Sequence, residues 1–175
     1  MLRSKLMLVL SLVAVVVMAL GFASPVEAAK PERQTIVDVA LAANKESGEF
    51  SILISALGAA DPAVLKTLAG NGQFTVFAPT DAAFVSLLGE LGLTAEQLLS
   101  NQELVTQVLL YHVARGDRNS DEVFGSSRIR TLQGGFLFQS GGVLTDVNDR
   151  TANIIKADIE ADNGVIHVID RVVLP

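Results

Sequence analysis

The sequence predicts an α+β fold, an antiparallel sheet assembly with several helices packed to one side. Three observations predict it. Between Thr35 and Val113 apolar residues recur mostly at helical spacing, as Phe50, Leu53, Ile54 and Leu57 do at i, i+3, i+4 and i+7. One alternating, β-rich stretch, Phe74 to Ala78, interrupts them. From Ala114 glycines and β-branched residues take over, with hairpin-type turns at Gly134-Gly135 and Gly141-Gly142. Helices first and strands afterwards is the α+β order.

Each element has a local cause. Thr35 can cap a helix with Asp38 completing a capping box, and Ile36, Val37, Val39, Ala40 and Leu41 make a broad apolar face before a polar turn at Asn44 to Gly48. The next helix, from Phe50, is expected to stop at Gly58. Asp61-Pro62 is a cap followed by a first-turn proline, opening a short helix that ends by Gly70. Pro79 ends the central strand and Thr80 and Asp81 cap a helix through Leu88, with Phe77 and Phe84 expected to anchor one packed corner. After a break at Gly89 to Gly92, Thr94 and Gln97 form a second capping box, and a helix runs from about Asn101 to Val113. Asp121–Phe124, Ser127–Leu132, Phe136–Gln139, Val143–Val147, Asn153–Ala157 and Val165–Val173 read as strands.

The first 28 residues read as a signal peptide: Arg3 and Lys5, an apolar run from Leu6 to Phe22, and small residues for cleavage after Ala28. Residues 29–34 form a polar lead-in, and 35–175 a single domain. Cleavage would remove two of the 13 basic and one of the 19 acidic residues and leave a net charge of −7. Such a domain repels polyanions, its largest basic cluster being Arg128-Ile129-Arg130, so no nucleic acid partner is expected. The leader inflates the mean hydropathy of +0.44, and no stable membrane span is expected after cleavage. With no cysteine, disulfides, thiol catalysis and thiolate metal sites are excluded.

No catalytic pattern emerges. His112 and His167 each sit in an apolar segment, where a hydrogen-bonded structural imidazole is the expected role, and two histidines alone make a poor zinc site. The serines lack the Gly-x-Ser-x-Gly setting, and the glycines lack a phosphate-loop spacing. Asp146, Asp149, Asp158, Glu160 and Asp162 lack the alternating oxygen ligands of a calcium loop and read as solvated strand ends. The expectation is neither enzyme, metal site nor cofactor.

Thr75-Val76-Phe77-Ala78-Pro79-Thr80-Asp81-Ala82-Ala83-Phe84 resembles the first signature of the fasciclin (FAS1) family, and Asn163-Gly164-Val165-Ile166-His167-Val168-Ile169-Asp170 the start of the second. Leu109-Leu110-Tyr111-His112-Val113 resembles its Tyr-His motif. The resemblance implies a wedge or sandwich of sheets flanked by helices, with Phe77, Pro79, Thr80, Phe84, His112, Asn163, Gly164, His167 and Asp170 as structural motif positions. It further implies an exported adhesion module, secreted, periplasmic or at the cell surface, with a protein or matrix partner. Some animal members carry an Asp-Ile motif linked to integrin binding where Asp158-Ile159 stand, so Tyr111, Asp158 and Ile159 are the expected contacts. The alternative implied is a carrier of an apolar small molecule, lipid or carotenoid-like.

Overall fold

Seven helices and seven strands form among the described residues, Arg33–Pro175 of a computed structural model. The expected leader, its cleavage point and residues 29–32 of the lead-in lie outside them. Arg33 and Gln34, at the end of the polar lead-in, are anchored: Arg33 donates to Asn71, and Gln34 exchanges hydrogen bonds with Asp162.

Helix α1 spans Ile36–Ser47, with the Thr35–Asp38 capping box formed; it runs through the expected polar turn to Gly48, whose φ of 72° closes it. Helix α2, Ser51–Ala59, passes through Gly58 and stops at Ala60, the residue before the Asp61 cap of α3, Pro62–Leu68. Strand β1 is Phe74–Pro79. The Thr80-capped α4, Asp81–Leu91, continues past Gly89 to a left-handed Gly92. Helices α5, Ala95–Leu99, and α6, Gln102–Tyr111, follow, the first with its Thr94–Gln97 box and the second capped by Asn101. His112 ends α6, so Val113 belongs to a strand, β2, Val113–Arg115.

The segment read as a strand over Asp121–Phe124 is instead α7, Ser120–Gly125. Asn119 accepts from the Glu122 N–H, and Asp121 and Glu122 in the first turn suit the positive end of a helix. Strands β3, Arg128–Arg130, β4, Phe136–Ser140, β5, Val143–Thr145, β6, Thr151–Ala161, and β7, Gly164–Ile169, complete the chain.

The sheet order is β2-β1-β7-β6-β5-β4-β3. The assembly expected to be antiparallel is mixed, because β1 and β7 run parallel with Phe74 opposite Gly164 and Pro79 opposite Ile169. Both signature stretches are thus neighbouring central strands, joined by a crossover that holds most of the domain. The sheet also bends back on itself: Ala114 bridges to Thr131, and the Leu132 N–H donates to Val113 O at 2.7 Å, which protects two edges that would otherwise be open.

Alternation along β1 and β7 divides the interior. Val76, Ala78, Ile166 and Val168 face a core built with α1 to α6, including Phe50, Phe84 and Leu87. Phe77 and Ile169 face a second core with Tyr111, Val123, Ile129, Leu137, Leu144, Ala152 and Val173. Phe77 and Phe84 therefore anchor different cores, not one corner: the strand's pleat points Phe77 away from the helix that carries Phe84.

Candidate functional site

The two histidines are joints between elements. His112 is buried; its Nδ1–H donates to Val108 O at 2.7 Å and its Nε2 accepts from the Val173 N–H at 3.3 Å, which fixes a neutral tautomer and pins the C-terminal segment to α6. Burial holds it down to a pKa of about 4, against the opposing pull of the Val108 bond and of Asp146. His167 is equally enclosed, stacked on Phe77 with ring centroids 5.8 Å apart. Its Nε2–H donates to Arg118 O at 2.9 Å, and its Nδ1 accepts from the Asp158 N–H at 3.3 Å. Its pKa is lowered, chiefly by burial.

Asp146 is not the solvated strand end the sequence implies. It is buried, and accepts from the N–H groups of Asn148, Arg150 and Leu174, tying the β5–β6 turn to the C-terminal segment. Asn163 does the same work at the other end: Oδ1 accepts from the Ile36 N–H at 2.7 Å, and Nδ2 donates to Leu68 O and Gly70 O. Asp170 accepts from both the backbone and side-chain amides of Asn153, at 2.7 Å each.

Of the three expected contact residues, Tyr111 must be withdrawn. It is wholly buried in the second core with its hydroxyl donating to Phe136 O at 2.7 Å, and burial pushes its phenol pKa up. Asp158 is exposed, but its carboxylate caps α7, accepting from the Ser120 N–H at 2.7 Å and from its hydroxyl. Those Ser120 hydrogen bonds lower its pKa. It sits at a register shift in β6 with φ of 56°, a left-handed conformation that Asp tolerates better than most residues. Ile159 is half-buried against the first core.

The feature the sequence does not disclose is a cavity of about 310 Å³ in the first core. Ile36, Val37, Ala40 and Leu41 of α1, Leu53, Ile54 and Leu57 of α2, and Leu65 of α3 face it; β1 and His112 contribute the far wall. Leu41 and Leu65 are 47% and 39% exposed, so apolar side chains mark the open side. The ring nitrogens of His112, the one titratable group lining it, are both engaged elsewhere. The space offers apolar contact and no charge. Among the described residues, no three of His, Asp or Glu gather as a metal site would need, and no single helix is long and apolar enough to cross a membrane.

Residues 48–175 match the Fasciclin domain family. The chain belongs to that family. Among fasciclin-domain relatives, Protein sll1483 of Synechocystis sp. is 41% identical over 152 residues, covering 85% of this chain and 78% of that protein. Cell surface glycolipoprotein MPB83 of Mycobacterium bovis is 35% identical over 129 residues, 72% of this chain and 56% of its own length. The FAS1 domain pair of the insect cell adhesion molecule Fasciclin I shares the fold, with a TM-score of 0.59 at 23% identity over 73% of this chain and 46% of that one. The fasciclin relatives thus include a cell-surface protein and a cell adhesion molecule.

Proposed function

We propose that this fasciclin-domain chain is an exported, non-catalytic binding module of adhesion type, meeting a cell-surface or matrix partner. One observation carries the reading: His112, His167 and Asp146, the buried side chains best suited to proton transfer, are each held by backbone groups inside the fold. Catalysis would need a nucleophile, a base and an oxyanion donor converging on one cleft. The principal cavity is apolar instead. A similar cell surface glycolipoprotein, and a cell adhesion molecule that shares the fold, support the same setting. Beads carrying the purified protein should retain cells or matrix material from the source organism, and albumin beads should not. Equal retention removes the reading, as does hydrolase turnover lost in a folded His112→Ala or His167→Ala variant.

A second reading, carriage of an apolar small molecule, is favoured by the helix-lined cavity. Its volume of about 310 Å³ lies at the small end of ligand pockets, which run to roughly 300–1,000 Å³. A polyene fatty-acid probe should bind, and Ala40→Leu, which grows a side chain into the space, should abolish its signal. Undiminished binding by that variant would place the probe elsewhere.

A further inference from the structure

Strands β3 to β6 turn one face to the second core and the other to solvent. Ile129, Leu137, Leu144 and Ala152 point inward, so their neighbours point out. Pairing sets the outward rows: Arg130 lies opposite Phe136, while Arg128, Phe138, Thr145 and Thr151 stand in one continuous line. Phe138 is 48% exposed, large for an aromatic ring with nothing to cover it among the described residues. The Arg128 guanidinium lies 5.2 Å from the centre of the Phe136 ring, held over the aromatic surface. No Asp or Glu occurs in these rows, although the chain carries a net charge of −6. Among the described residues neither arginine pairs with a carboxylate, and the ion pair there joins Arg150 and Glu90.

We propose that this outward face of β3 to β6 docks a uronic-acid polysaccharide, an inference that rests on the adhesion reading above. Charge complementarity carries it. Arg128 and Arg130 present planar donor forks that match carboxylates, and they are exposed rather than neutralised. Phe138, exposed beside the stacked Arg128 and Phe136, offers flat apolar surface for the C–H face of a sugar ring. Thr145 and Thr151 beside them supply uncharged donors and acceptors for sugar hydroxyls. The rest of the molecule selects against denser polyanions. Double-stranded nucleic acid carries about one charge per 1.7 Å and would feel the surrounding acidic surface. A uronic-acid polymer carries at most one charge per sugar. An acidic protein segment would use the arginines but leave the hydroxyl rows without a role.

Binding of the purified protein to polygalacturonate, its fully methyl-esterified form and poly-glutamate tests this. Polygalacturonate should bind, and the other two should bind at least about tenfold more weakly, a difference of about 1.4 kcal/mol. Arg128→Ala with Arg130→Ala, and separately Phe138→Ala, should each weaken polygalacturonate binding about tenfold or more, with an unchanged melting temperature showing that the exposed changes leave the fold intact. No binding, binding unchanged by both variants, or equal binding of poly-glutamate would overturn the assignment, the last in favour of an acidic protein partner. The bead assay separates the two levels. Matrix retained equally by wild type and the arginine variant leaves adhesion standing and this face wrong; no retention by wild type removes adhesion itself.

Discussion

The two cores share strands β1 and β7 but are built to different tolerances. The second, enclosed by the β3 to β6 ribbon, is sealed: Phe77, Tyr111, Ile129, Leu137, Leu144 and Ile169 are all fully inaccessible. The first, between the helices and the sheet, retains a cavity and an apolar mouth at Leu41 and Leu65. A strand ribbon curled around its own side chains closes a small volume efficiently. Short helices meeting at several angles, such as α2 and α3, which turn by 119° between them, leave gaps where three of them converge. One half is closed around its own side chains, and the other retains an apolar cavity.

The sharpest way to break both at once is at their common seam. Gly164 has φ of 145°, and a Cβ there would lie 1.8 Å from Phe74 O, a backbone atom that cannot yield without parting β1 from β7. Gly164→Ala should abolish folding, or cost more than about 4 kcal/mol; a normal melting curve for that variant would contradict the parallel pairing as the fold's centre.

Next, matched truncations compare the two interiors. Leu144→Ala in the sealed core should cost about 3–5 kcal/mol in urea unfolding, whereas Leu57→Ala, beside the existing cavity, should cost about 1–2 kcal/mol because fewer contacts are lost. Equal costs would erase the distinction.

Acid probes the joint between the cores. Unfolded histidine titrates near 6.5 and His112 at about 4, so the unfolded chain binds more protons between these values. Stability should therefore fall as pH drops from 6.5 to 4, by roughly 3 kcal/mol from His112, and His167 adds a loss of the same sign. Unfolding midpoints independent of pH over that range would mean the imidazoles are not neutral joints. The smallest effect expected is a gain: Ala40→Leu should fill part of the cavity and raise stability by about 1 kcal/mol, measured by thermal unfolding.

Much of the local architecture was legible because its causes are local. The Thr35–Asp38 and Thr94–Gln97 boxes and the Asp61-Pro62 start each depend on side chains within three residues of the backbone they satisfy. That both histidines are buried and hydrogen-bonded was legible too, from their apolar settings. Asp121–Phe124 misled because four residues are too few to carry a period, and a capped, acid-led turn held by the distant Asp158 decides them instead. Tyr111 misled because a residue beside a histidine at a helix end gives no sign of which core it will enter.

Sequence by itself determined the class, the order of elements apart from β2 and α7, the family and the absence of thiol chemistry, since each follows from composition or from short-range patterns. Tertiary structure alone decided that β1 and β7 lie parallel, that Phe77 and Phe84 serve separate cores, and that the leucines of α1, α2 and α3 leave a space between them. The reason is physical: an apolar periodicity states that a face is buried but not what it is buried against, nor whether the partner fills the volume.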